Sequence, residues 1–226
     1  MPNIYRFNIG SDFVTKAARA IEAFIKDRKE KALRIALSGG NSPKDVYKKL
    51  AGSETIDWSK IKLYQVDERY TPENSEDSNA GMIEGILVSK LPKISQFHKF
   101  DTSKTVEEAL KSYEKKLLKL ERPLFDLVLL GLGPDGHTAS LFPYGPELNE
   151  VERLVVSSNA PTGVKERLSL SFPALMSSHK IIFLIRGAAK KEIVKKWLEG
   201  DASVEAIPAK VFLEHPDVDV YYDYSN

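Results

Sequence analysis

The stretch that most constrains this chain runs over residues 125–143, FDLVLLGLGPDGHTASLFP. Its opening segment, 125–130, is short and mostly apolar, long enough for a buried strand and too short for a helix. Gly131, Gly133, Pro134 and Gly136 follow and bend the chain sharply. Asp135 and His137 sit on that bend. A buried strand that ends in a glycine-rich loop is where an open α/β sheet puts its ligand chemistry. Imidazole is a good proton acceptor near neutral pH, and a carboxylate two residues away can orient it or stabilise its charged form. His137 is therefore either a general base or a loop residue with a good hydrogen bond.

The same strand-then-turn pattern recurs along the chain. Segments 3–8, 33–37, 61–66 and 181–185 read as strands, with a short one at 96–100. Helical spacing marks 79–91, 104–120 and 188–198, together with a helix capped by Ser11 or Asp12 that runs to residue 27. Another helix follows Pro43 through 45–50. Segments 154–156 and 167–172 look extended, 173–176 starts a short helix, and 211–214 with 218–222 are expected to form a last strand pair. Strands alternating with helices predict an α/β fold with a mostly parallel central sheet covered on both faces. One compact domain over 1–226 is expected, with 145–164 as its loosest region, a candidate lid or small subdomain.

Composition narrows the function. Lys+Arg of 33 against Asp+Glu of 32 leave a net charge of +1, which argues against a general polyanion binder such as a nucleic-acid protein. A local basic pocket for one small anion remains compatible with that balance. The chain has no Cys, so disulfides, thiolate catalysis and Cys-based zinc sites are excluded. Its four His residues are scattered at 98, 137, 179 and 215, without the spacing of a metal-ligand pair. No signal peptide or membrane-spanning apolar run is visible, and a cytoplasmic protein is expected.

Several further residues can carry chemistry. SGGNSP at 38–43 follows a strand and precedes a helix, so the backbone N–H groups of Gly39, Gly40, Asn41 and Ser42 can approach an anion. It carries neither a Walker lysine nor GxGxxG, and a tight turn with a Ser/Asn cap accounts for it equally well. Asp67, Glu68 and Arg69 cluster directly after a strand, as an anion-binding arginine with supporting acids or as a surface ion pair. Arg167 begins an alternating strand, and Lys190 lies in a first helical turn, where the dipole disfavours a cation unless it reaches an anion. Taken singly, both have structural readings. His98, His179 and His215 are expected at the surface. Ser38 and Ser140 lie outside any GxSxG elbow and are poor nucleophile candidates.

Taken together, GLGPDGHTASLFP at 131–143, LSGGNSP at 37–43, DER at 67–69, DSN at 77–79, ERLSLSFPAL at 166–175 and GAAK at 187–190 resemble the 6-phosphogluconolactonases. The matches fall in order over nearly the whole chain. The related glucosamine-6-phosphate deaminases share a DGH core but typically continue with an IAFNEP-like string and carry a DEY-like sequence. TASLFP at 138–143 and DER side with the lactonases. The resemblance implies a three-layer α/β/α Rossmann-like sandwich that hydrolyses 6-phospho-D-glucono-1,5-lactone without a metal or organic cofactor. Its partner would be that small sugar-phosphate lactone, with no nucleic acid or membrane involved. By the same likeness His137 is the base, with Asp135 beside it. Gly39, Gly40, Asn41 and Ser42 hold the phosphate with Arg167 and Lys190, Asp67 and Arg69 line the site, and Gly136 contributes to binding. Asn41-Ser42 departs from the commoner Ser-Thr of the family. The alternatives are a glucosamine-6-phosphate deaminase or isomerase on the same scaffold, and a non-catalytic sugar-phosphate sensor.

Overall fold

The computed structural model of the protein describes residues 2–28, 32–91 and 96–225. In chain order the elements are β1 (Asn3–Phe7), α1 (Gly10–Lys26), β2 (Leu33–Leu37), α2 (Lys44–Ala51), β3 (Ile61–Gln65), β4 (Asp67–Arg69), α3 (Asn79–Ile86) and β5 (Gln96–His98). There follow α4 (Val106–Leu117), β6 (Phe125–Leu130), β7 (Val155–Asn159), β8 (Glu166–Leu170), α5 (Phe172–Met176), β9 (Ser178–Arg186), α6 (Lys191–Glu199) and β10 (Val218–Asp223).

Seven strands form one sheet in the order β1-β10-β9-β6-β2-β3-β5, and every neighbouring pair in it is parallel. Both faces are covered, which is why β6 and β9 carry nearly unbroken apolar runs rather than an alternating pattern. Leu127 and Leu129 pack with residues of α1, α2 and α3. Val128 and Leu130, on the other face, pack with residues of α4, α5 and α6. The result is the three-layer α/β/α sandwich. Full burial of each such Leu or Val stabilises the fold by about 1.5–3 kcal/mol. Among the described residues no helix is long and apolar enough to cross a membrane.

A second, three-stranded sheet in the order β4-β8-β7 is antiparallel. It continues from the carboxyl end of β3: Leu170 N–H donates to Val66 C=O at 2.8 Å. The charged triplet 67–69 thus becomes a strand of its own because β8 offers it a partner. Segment 145–164 contains a 3₁₀ turn at Pro146–Asn149 and all of β7.

Other sequence expectations shift. The expected strand at 211–214 is instead the end of a 3₁₀ turn, Pro208–Glu214, so β10 lacks an adjacent hairpin partner and pairs with β1 and β9. Pro208 at the start of that turn has no N–H to give a ladder and a φ suited to a helical turn. The first helix starts earlier than its expected cap, at Gly10, with no side-chain cap. Helix α3 ends at Ile86 and passes into a 3₁₀ turn, Val88–Lys90. His215 was expected at the surface and is buried. Its Nε2 lies 3.0 Å from Ser178 C=O, and Asp217 N–H donates to its Nδ1 at 3.2 Å, so both ring nitrogens have hydrogen-bond partners.

Candidate active site

The carboxyl ends of β2, β6 and β9 lie side by side and open onto a cleft of about 870 Å³. The loop after β6 supplies Asp135 and His137. Gly133 N–H donates to His137 C=O at 2.8 Å and Gly136 N–H to Gly133 C=O at 3.1 Å, which folds the loop back on itself. A side chain at Gly133 would collide with the His137 ring and with Asp135. Gly136 has a φ of 90°, and a Cβ there would press on Ile207 and Ile193. Gly136 therefore makes the turn possible from beneath the loop, with its N–H already committed to Gly133.

Asp135 Oδ1 accepts from His137 N–H at 3.1 Å and lies 2.5 Å from His137 Nδ1. Burial pushes the Asp135 carboxyl up, but the hydrogen bonds and charge of His137 outweigh it and hold it below the ordinary carboxylate range. An ionised carboxylate only accepts, so Nδ1 is the donor in this pair, and whenever the ring is neutral Nε2 is the nitrogen that keeps a lone pair. Phe142 packs against the imidazole with ring centroids 4.8 Å apart. The imidazole is thus held on one edge by Asp135 and packed against an aromatic ring.

The loop after β2 contributes Gly39, Gly40, Asn41 and Ser42 to the cleft. Tyr47 O–H donates to Ser38 C=O at 2.9 Å and anchors its start. Gly40, with φ 84°, turns it. The Ser38 hydroxyl is buried without a hydrogen-bond partner.

Asp67 and Arg69 reach the cleft from β4, and Arg167 from β8. The register sets Arg69 directly opposite Arg167. Two like charges facing each other across a strand pair are destabilising on their own. Arg167 is only 9% exposed, and its Nε has no partner. Burial pulls its pKa down, Arg69 pulls it further, and Asp67, Asp77 and Glu68 oppose them. Lys190 also lines the cleft, and burial pulls its ammonium down. Among the described residues no carboxylate stands in hydrogen-bond contact with Arg167 or Lys190, two partly desolvated cations, and that arrangement accepts an anion.

The structure thus brings ten of the eleven sequence-derived candidates to one cleft: Gly39, Gly40, Asn41, Ser42, Asp67, Arg69, Asp135, His137, Arg167 and Lys190. It also adds residues that sequence reasoning missed. Ser140, dismissed as a nucleophile, donates from Oγ to Asp67 Oδ2 at 2.7 Å. Arg186 lines the cleft and is held by Asp45 at 2.7 Å and Asp223 at 3.0 Å. Its position just before Gly187, at a strand end, was the signal available in the sequence.

A family model described as glucosamine-6-phosphate isomerases/6-phosphogluconolactonase matches residues 9–221. The chain belongs to this family. Among the relatives, 6-phosphogluconolactonase of Thermotoga maritima is 37% identical over 183 residues, covering 79% of this chain and 80% of that protein. The 6-phosphogluconolactonase-like protein 1 of Saccharomyces cerevisiae is 34% identical over 194 residues, 77% of this chain but only 59% of the yeast protein. The crystal structure of the Thermotoga maritima 6-phosphogluconolactonase superposes with a TM-score of 0.86 at 32% identity, covering 98% of this chain and 99% of that one. Family membership thus accounts for the whole sandwich and not for the loop motifs alone.

Proposed function

We propose that this chain hydrolyses 6-phospho-D-glucono-1,5-lactone to 6-phospho-D-gluconate, the second step of the oxidative pentose phosphate pathway, with His137 as the base. The observation that carries this reading is the Asp135–His137 pair in one cleft with Arg69, Arg167 and Lys190. The names of the Thermotoga maritima relatives support the same substrate.

The chemistry follows from these groups. His137 Nε2 takes a proton from water, and the hydroxide attacks the lactone carbonyl carbon. The imidazolium, stabilised by Asp135, then returns its proton to the ring oxygen as the C–O bond breaks. The carboxylic acid product ionises in water. General-base assistance of this kind is worth roughly 10²–10⁴-fold. The phosphate, far from the reacting carbon, engages Arg167, Lys190 and the Gly39–Ser42 backbone, and its binding energy orients the ring. Asp67, fixed by Ser140, is available to sugar hydroxyls.

A lactonase assay with 6-phosphogluconolactone, corrected for spontaneous hydrolysis, tests this directly. The wild type should turn the lactone over, and His137→Gln should lose roughly 10²–10⁴-fold in kcat with little change in KM. Full activity in that variant would remove His137 as the base. Ammonia released from glucosamine 6-phosphate, without lactone hydrolysis, would instead assign the deaminase chemistry of the same family.

A further inference from the structure

Three of the sequence motifs, DER, DSN and SGGN, meet at a buried hub that the reaction scheme above does not use. Side chains along a strand alternate in direction, so Glu68 points away from the cleft that Asp67 and Arg69 line. It is 1% exposed. Its carboxylate accepts hydrogen bonds from Gln65 Nε2 at 2.7 Å, Arg69 N–H at 2.8 Å, Ser78 Oγ at 3.1 Å, Asn79 N–H at 2.7 Å and Ala80 N–H at 2.8 Å. Two of those donors belong to the first turn of α3, whose N-terminus favours a negative charge. Burial raises the Glu68 pKa, and the Ala80, Gln65, Asn79 and Arg69 hydrogen bonds oppose it.

Asn79 carries the connection onward. It is 3% exposed, and its Nδ2 donates to Asp67 C=O at 3.0 Å. The rest of its amide fills the space beside Gly39: a Cβ on Gly39 would overlap Oδ1, Cγ and Cβ of Asn79. The glycine loop therefore rests directly on a side chain whose backbone is held by Glu68 and whose amide grips the strand of Asp67 and Arg69. We infer that Asn79, locked by Glu68, is a positioning residue that sets the spacing between two phosphate-holding arms, the Gly39–Ser42 loop and the Arg69–Arg167 strand pair. The inference rests on the phosphate reading above, and it explains why residue 39 has no room for a side chain.

The test compares wild type, Asn79→Ala, Gly39→Ala and the double variant, with the phosphorylated lactone and with unphosphorylated glucono-1,5-lactone. Asn79→Ala should raise KM for the phosphorylated lactone about tenfold, the scale of one well-placed hydrogen bond. Its kcat/KM on the unphosphorylated lactone should change less than about twofold. Gly39→Ala should raise KM more when Asn79 is present than in the Asn79→Ala background, because the overlaps with Oδ1 and Cγ are then gone and only the lesser one with Cβ is left. A lowered Tm with KM unchanged, or equal losses on both lactones, would overturn the inference. Should Asn79→Ala not fold, Asn79→Leu keeps a similar volume, the backbone donor to Glu68 and the crowding of Gly39 but removes the Nδ2 donor without adding a charge. It must then show the same selective rise in KM. If the wild type hydrolyses no lactone, the proposed function fails by itself. Titration of 6-phosphogluconate into the same variants then reads the spacing, with about tenfold weaker binding in Asn79→Ala expected and unchanged binding overturning it.

Discussion

Arg167 is the cleft residue least satisfied by its own surroundings. It faces Arg69 across the strand pair, is nearly buried, and leaves Nε without a partner. An unsatisfied buried donor costs about 1–3 kcal/mol. Such a residue is retained for what it binds rather than for what it stabilises. Arg167→Met should therefore leave Tm unchanged or raise it in phosphate-free buffer. It should also raise KM for the phosphorylated lactone roughly 10- to 100-fold, the equivalent of losing a charged hydrogen bond of about 1.5–3 kcal/mol. Inorganic phosphate should raise the Tm of the wild type and not of the variant. A fall in Tm with equal phosphate protection of both proteins would make Arg167 structural. Asp135 and His137 are the opposite case, since each satisfies the other and the loop is folded around both.

At the scale of elements, the legible parts were those whose residues see only one kind of environment. Strand β6 and the 181–185 stretch of β9 were legible because helices cover both faces there and nearly every position is apolar, whereas the polar start of β9, Ser178 to Lys180, was not. Helix α4 read correctly because Ala109, Tyr113 and Leu117 form one buried stripe. Its start was missed: Thr105 and Glu108 form a capping box, with Thr105 Oγ1 accepting from Glu108 N–H at 3.3 Å and Glu108 Oε2 accepting from Thr105 N–H at 3.2 Å. Thr105→Ala should lower stability by about 0.5–2 kcal/mol, read as a lower urea midpoint at an unchanged m value. Strand β4 was not legible, because three charged residues carry no apolar pattern and become a strand only when β8 pairs with them. The expected strand at 211–214 failed for the converse reason: its apolar residues suit a strand, yet no partner stands beside them.

For the whole molecule, the parallel order of the sheet does the organising. It brings the ends of β2, β6 and β9 together, so loops far apart in sequence share one cleft. The layer beneath β9 is tight. Phe183 is fully buried, with its ring 4.6 Å from Trp197 and 6.0 Å from Phe212. Phe183→Ala should cost about 3–5 kcal/mol, a large share of the roughly 5–15 kcal/mol that holds a domain together. Equilibrium unfolding by urea would measure it, and a loss below about 1 kcal/mol would mean that the layer repacks.

The amino-acid sequence by itself determined the fold class, the glycine-rich loops at strand ends, and the candidate base with its neighbouring carboxylate. These depend on periodicity and on contacts within a few residues, which the chain carries locally. Only the tertiary structure decided that Arg69 faces Arg167, that Glu68 is a buried anchor rather than a surface charge, and that Asn79 supports Gly39. Those relations come from strand register and from packing between distant segments, and no local pattern encodes which segment will arrive beside another.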